Sequence, residues 1–394
     1  MKILMLSPWL PYPPNWGFAK RVFHVVEVLG RRHDVTLLAY SGGDDSEHAR
    51  MLQPHCAAVH TVPAPAFALG KRLAQMASVF SPTSFQRRTI YSPTMQRALD
   101  SLTAGAPFDI IHVETSQMAC YRFDRRSVLV LDEHNIEYEL YYRMYQTEGA
   151  VARRWFNWLE YYKFKREETA SWRAVDGCVL TSQREAVLLN EVVPSAQTAV
   201  VPNAVDTEFF APSSAPVDPD AIVLTGLMKY RPNVDGALFF VKEIFPRILQ
   251  QRPNATFYIV GGEAPPEITR LASRQVVVTG GVDDVRPYVH KAAVFAVPLR
   301  MGSGTRLKVL EGLSMGKPMV STALGCEGID LVHGQHLLIA DTAAAFADAV
   351  LDVMARPELA RQLSEQGRAL MVSRYKWEHA VEALEDFYGR LRAV

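Results

Sequence analysis

The chain has 394 residues, 48% of them hydrophobic and 21% charged, with 42 basic residues balanced by 42 acidic ones. That length and apolar content suit two domains with sizeable cores. A net charge of zero argues against a dedicated nucleic-acid binder, which carries a basic excess, and no apolar run approaches the length that spans a bilayer. Cys56, Cys120, Cys178 and Cys326 are scattered, without a CxxC or a metal-like Cys/His spacing, so a reduced, cytoplasmic compartment fits. The N-terminal apolar run is cut by Pro8 and is too short for a signal peptide. Any membrane contact is therefore expected to be peripheral, at the inner face.

In chain order, residues 2–7 read as a buried strand, followed by a Pro-rich loop and then a helix. In that helix Val22, Val25, Val26 and Leu29 share one side. A second strand at 34–40 completes a β-loop-α-β unit, the start of a doubly wound α/β sheet. Further strands are expected at 57–62, 109–113, 127–132, 177–182 and 198–205, with a long aromatic and basic helical segment over 137–175. The stretch 206–221, with three prolines and no period, reads as a linker. The α/β rhythm then restarts: strands at 222–228, 255–262, 275–281, 292–299, 318–323 and 336–340, helices near 234–251 and 305–315, and a helical tail from 343. The sum is two Rossmann-like doubly wound domains, 1–205 and 206–376, facing a central cleft, with the last helix, about 377–394, packing back on the first.

Ligands of open α/β sheets bind at the carboxyl ends of the strands. Gly17, His134 with Asn135, Gly226 with Lys229 and Arg231, and the stretch 301–305 all follow strands. In "GSGTRLKVLEGLSMGKP" (302–318), Gly316 and Pro318 close a helix, and Leu307, Leu310 and Leu313 form its buried stripe. Thr305, Lys308 and Glu311 fall on another face, which begins where unpaired N–H groups and the helix dipole favour an anion. A phosphate at the helix start and a carboxylate receiving two vicinal hydroxyls outline a nucleotide site. A plain surface helix with a Lys308–Glu311 pair is the other reading.

These stretches resemble the family-4 retaining glycosyltransferases of GT-B fold. The resemblance is carried by "VVPNAVDTEFF", "LTGLMKYRPNVDGALFFVKEIFP", "YIVGG", "VVVTGGVDDVRPYVHKAAVFAVPLRMGSGTRLKVLEGLSMGKPMVST" and "GCEGI", in the family's order. At the N-terminus "LSPWLPYPPNWGFAKRVFHVVEVLG" and "DEHNIEYE" match its glycine loop and its His-containing strand end. "YRPNVDG" and "GTRLKVLE" resemble members that build bacterial exopolysaccharides or capsules. Two departures stand out. Ser303 occupies the place of the first of two glutamates that have seven residues between them, and Gly17-Phe18 stands where the family has a double glycine.

The resemblance implies transfer of a sugar from a nucleoside-diphosphate sugar, the co-substrate, to a hydroxyl of a glycan or lipid-linked glycan, without a cofactor or a bound metal. "VDD" at 282–284 is the nearest approach to an acidic metal motif. His134 and Glu311 are implied as catalytic residues, the first on the donor sugar and the second on the ribose. Lys229, Arg231, Arg306 and Lys308, with the backbone of Gly304, Thr305, Arg306 and Leu307, are the diphosphate candidates, because fixed cations and N–H groups stabilise a leaving phosphate. Gly17 and Gly226 allow close approach, Val282 offers backbone to the base, and Ser303 stands near the donor sugar. Lys20, Arg21 and Asn135 are candidates for the acceptor. The basic, aromatic stretch 153–173 reads either as an interfacial helix reaching a lipid-linked acceptor or as a solvated helix packed on its own domain. Two rivals remain, a nucleotide-sugar epimerase of the same fold and a non-catalytic nucleotide-sugar sensor. A dehydrogenase is excluded, since no GxGxxG joins a strand to a helix.

Overall fold

The structure is a computed structural model that describes residues 1–43, 45–65, 71–302 and 304–393. The chain divides into two compact units, Met1–Pro202 with Trp377–Val394, and Asn203–Lys376. Each is built on one parallel sheet.

The first sheet has seven strands: β1 (Lys2–Ser7), β2 (Asp34–Ser41), β3 (Ala58–Pro63), β4 (Ile110–Glu114), β5 (Val128–Glu133), β6 (Gly177–Leu180) and β7 (Thr198–Val200), in the order β3-β2-β1-β4-β5-β6-β7. Parallel strands are covered on both faces, which is why "KILMLS", "IIHVE" and "VLVLDE" are near-continuous apolar runs rather than alternating ones. The order reverses between β1 and β4, so the carboxyl ends of these two strands open the crevice where such sheets bind ligands. Helix α1 (Gly17–Gly30) starts there and buries Val22, Val25, Val26 and Leu29 as their spacing predicts. The expected single helix over 137–175 is two helices, α2 (Glu137–Thr147) and α3 (Val151–Ala174). The segment around Gly149 separates them, since glycine gains least from helix formation apart from proline.

The second sheet has six strands: β8 (Asp218–Thr225), β9 (Thr256–Val260), β10 (Val276–Gly280), β11 (Ala292–Val297), β12 (Met319–Ser321) and β13 (Leu338–Ile339), in the order β10-β9-β8-β11-β12-β13. Its order reverses between β8 and β11. β8 begins at Asp218, so the last residues of the expected linker are strand. Helix α4 (Arg231–Phe239) follows β8 and runs on through a π-turn at Phe240–Ile244 to Gln251. Helix α5 (Leu307–Ser314) follows β11. It ends at Gly316, whose φ of 65° is the left-handed cap read from the sequence. The last helix, α6 (Trp377–Arg392), packs in the first unit, where Arg392 pairs with Asp109 at 2.7 Å and Glu385 with His33 at 2.7 Å.

Candidate functional site

In the second unit the crevice between β8 and β11 is built from three pieces. The first is the turn after β8, Thr225–Gly226. Gly226 has φ 145°, and a Cβ there would lie 2.6 Å from the Lys308 ammonium, so only glycine fits. The second is the loop before α5. Arg306 is the N-cap residue of α5 and lends it no side-chain cap, while its guanidinium turns back to the Gly304 carbonyl. The Thr305 hydroxyl is buried without a hydrogen-bond partner among the described residues. A buried orphan hydroxyl beside an uncapped helix start is a ready contact for an anion.

The third piece is α5 itself. Lys308 Nζ donates to the Thr225 carbonyl at 2.5 Å and to Asn233 Oδ1 at 2.7 Å. It bridges the turn after β8 to α4 and makes no ion pair with Glu311, which sets aside the plain surface-pair reading. Burial pulls its ammonium down to about 7, Arg306 adding to the fall and Glu311 opposing it. Glu311, half-buried, lies one turn further along the same helix.

Thus Gly226, Gly304, Thr305, Arg306, Leu307, Lys308 and Glu311 gather at one switch point. Lys229 does not join them. Its ammonium is on the surface, 60% exposed and 2.7 Å from Glu263. Arg231 opens α4 and is exposed, and Val282 follows β10, half-buried against the core. Ser303 lies outside the described residues. Of the "VDD" aspartates, Asp284 is held by Arg286 at 2.8 Å.

In the first unit, Gly17 opens α1 at the end of the Pro-rich loop, and Trp9, Trp16 and Phe18 pack edge-on or stacked at ring distances of 5.2–5.4 Å. Phe18 lies over the ring of His134, 4.8 Å between centroids and 26° from parallel. The departure from a double glycine therefore puts an aromatic lid on the histidine. Lys20 and Asn135 are half-buried close by in sequence. The loop carrying His134 is anchored from behind. Glu168 of α3 accepts from the N–H groups of Glu137 and Tyr138, both at 2.9 Å, and so caps α2.

Arg21 corrects the sequence reading. Its side chain is 1% exposed and grips Asp132, also 1% exposed, at 2.8 Å, with a further bond to the Val201 carbonyl. An acceptor cannot reach it; the cation neutralises a buried carboxylate, which is the condition for burying either. Asp132 is part of a network that the sequence reading missed. Its pKa is pushed up by burial, but Arg21 beside it holds it well below the usual range. His112 faces Glu114 at 3.3 Å and Asp132 at 3.6 Å, and meets the Tyr388 hydroxyl of α6 at 2.7 Å. Burial pushes His112 down, yet Glu114 and Asp132 raise it to about 9. Glu114 in turn meets His134 Nε2 at 2.6 Å. His112, Glu114 and Asp132 present ligand atoms within 4.8 Å of one another, as a metal site would. Two cations already fill that spot, the Arg21 guanidinium and protonated His112. A signal for the network was present, since charged residues end the two apolar strands "IIHVE" and "VLVLDE", and a charge in a buried strand requires a partner.

Long α3 packs on its own domain, as one of its two sequence readings expects. Glu160, Lys163, Glu167, Glu168 and Trp172 are buried against the first unit, while Trp155, Trp158 and Tyr162 remain exposed.

A pH dependence follows from Lys308. A phosphate bound at this helix start would favour its charged form, so a nucleoside diphosphate such as UDP, if it binds here, takes up a proton at pH 8. Affinity then falls as pH rises above about 7, by at most about tenfold per unit. Titration calorimetry in two buffers of different ionisation enthalpy measures the uptake, and Lys308→Met abolishes it. Proton-neutral binding by the wild type would contradict this.

The profile described as "Glycosyltransferase Family 4" matches residues 17–209, and that described as "Glycosyl transferases group 1" matches residues 219–356. A 44.6 kDa protein of the cps region of Klebsiella pneumoniae is 21% identical over 370 residues, 89% of this chain and 90% of that protein. Among solved structures, sucrose-phosphate synthase from Thermosynechococcus elongatus matches with a TM-score of 0.74 and 19% identity over 100% of both chains. Anabaena HepE in complex with UDP matches at 0.72 and 14%, over 99% of this chain and 100% of that one. HepE in complex with UDP-glucose matches at 0.67 and 14%, over 100% of both chains. These likenesses are of fold. With both of its units matched by family profiles, the chain belongs to family 4 of the glycosyltransferases and has their two-domain GT-B fold.

Proposed function

We propose that the protein transfers a sugar from a nucleoside-diphosphate sugar to a hydroxyl of a glycan or lipid-linked glycan, with retention at the anomeric carbon, in the synthesis of a surface polysaccharide. The observation that carries this reading is the assembly at the second switch point. An uncapped helix start, the Thr305 hydroxyl, which has no partner among the described residues, and Lys308 suit a diphosphate, and Glu311, one turn on, suits a ribose diol. Carboxylates only accept, and a diol offers two donors. The UDP and UDP-glucose held by HepE, a protein of the same fold, support a nucleotide-sugar donor, and the cps-region relative supports a polysaccharide product.

In this reading the sugar leaves with its pair of bonding electrons on the diphosphate. The departing phosphate oxygen takes the proton of the acceptor hydroxyl as that oxygen attacks from the same face. The protein supplies positioning and charge. Arg306, Lys308 and the N–H groups of α5 stabilise the growing charge, and His134 contacts the donor sugar. No metal is assigned a role. The work is placed in the cytoplasm, at the inner membrane face if the acceptor is lipid-linked, where exposed Trp155, Trp158 and Tyr162 of α3 would meet the interface.

The test begins with thermal shifts across a panel of UDP-, GDP- and dTDP-sugars, because a specific ligand raises the melting point with occupancy. The stabilising donor is then incubated with mixed bacterial glycans and glycolipids, with and without EDTA. The expected result is transfer that EDTA leaves within twofold. Epimerised donor without acceptor would favour the epimerase, binding without turnover the sensor, and complete loss in EDTA would overturn the metal-free assignment.

A further inference from the structure

His134 is half-held in a way that its proposed contact with the donor sugar does not require. Its ring has two handles. Nε2 meets Glu114 Oε2 at 2.6 Å, and Phe18 covers one face. Nδ1 has no hydrogen-bond partner among the described residues, and the side chain is 10% exposed. Glu114 is 1% exposed and sits at the carboxyl end of β4, opposite β1 at the point where the strand order reverses.

Burying a carboxylate is costly unless it is paired. Here the pairing is divided. Oε1 faces His112, whose other nitrogen is tied to Tyr388 of the last helix, and Oε2 faces His134. Arg21 neutralises Asp132, leaving the charge of His112 for Glu114. Burial pushes the Glu114 carboxyl up, but the charge on His112 beside it and the hydrogen bond with His134 outweigh it, and its pKa ends below the ordinary value. An ionised carboxylate can only accept, so the proton on the His134 side of this 2.6 Å bond belongs to Nε2. In the neutral ring Nδ1 is then an acceptor.

We propose that Glu114 is the positioning residue for His134: it fixes the Nε2–H tautomer and the ring orientation, so that Nδ1 stands ready to accept a hydrogen bond from a hydroxyl of the donor sugar. His112, Tyr388 and the Arg21–Asp132 pair hold Glu114 ionised and in place. The recognised group is a sugar hydroxyl rather than the phosphate, because an acceptor nitrogen repels an anion's oxygen and welcomes an O–H. This rests on the transferase reading for its ligand but not for its geometry, and the experiment separates the two.

The full chain labelled with ¹⁵N-histidine is observed by long-range ¹H–¹⁵N correlation, with the His134 signals assigned from His134→Gln. The expected wild-type pattern is protonated Nε2 and bare Nδ1. In Glu114→Gln, whose amide no longer demands a proton from the ring, the pattern moves toward Nδ1–H or a mixture. In parallel, Glu114→Gln keeps the Kd for UDP within about twofold and lowers kcat for the stabilising donor by about 10- to 100-fold, the scale known for partners that orient metal-bound histidines. Glu114→Asp retains the charge and keeps the Nε2–H pattern with a smaller loss of kcat, which guards against a glutamine variant that folds poorly. A wild-type His134 with its proton on Nδ1, or an unchanged tautomer and unchanged kcat in Glu114→Gln, overturns the proposal. If no donor is turned over by the wild type, the transferase reading fails, and the ring pattern still decides the role of Glu114.

Discussion

Arg21→Met lowers the stability of the first unit by about 3–5 kcal/mol, the cost of leaving one partner of a buried ion pair uncompensated. Arg21 and Asp132 are each 1% exposed, and without Arg21 the Asp132 charge is left to His112 and His134. All six tryptophans (Trp9, Trp16, Trp155, Trp158, Trp172 and Trp377) lie in this unit, so tryptophan fluorescence in a urea titration reports on it selectively. The double variant Arg21→Met/Asp132→Asn removes both charges and recovers a large part of the loss, a non-additivity expected of groups in direct contact. A loss below about 1 kcal/mol for the single variant would mean that the pair is not held as described.

Glu311→Gln lowers kcat/KM for the donor by about 100-fold or more. Hydrogen bonds to a charged group contribute about 1.5–3 kcal/mol each, and two hydroxyls on one carboxylate place the loss near 3 kcal/mol or above. Glutamine keeps the size of the side chain and offers one oxygen in place of two. Because the ribose is part of UDP as well as of the donor, the Kd for UDP must weaken too. That separates Glu311 from His134, whose substitution by alanine lowers kcat while leaving UDP affinity intact. The melting point of Glu311→Gln stays within a few degrees of wild type, since the side chain is half-buried on the surface of α5. An unchanged UDP affinity would remove the ribose role even if transfer were impaired.

Much of this architecture is written locally. Buried parallel strands need runs of apolar residues, so β1, β2, β4 and β5 stand out within a few residues of their observed ends. Gly316 announces the end of α5, because its left-handed backbone suits glycine. The break between α2 and α3, the start of β8 at Asp218 and the short β7 were less legible, since the ends of elements depend on what packs against them. At the site, the glycines, Lys308 and Glu311 could be singled out because they cluster in sequence around one strand–helix junction.

What the amino-acid sequence determined by itself is thus the two α/β halves and the anion-ready start of α5, since strand pattern, helix stripe and helix start are properties of neighbours along the chain. Only the tertiary structure decided which charges face inward. Arg21 looked like a surface cation but meets Asp132, 111 residues away, and Lys308 turns from Glu311 to a carbonyl 83 residues upstream. His112, Glu114 and His134 become one network only when β4 lies against β5. A buried charge takes the environment of its partner, and that partner is supplied by strand order rather than by spacing along the chain.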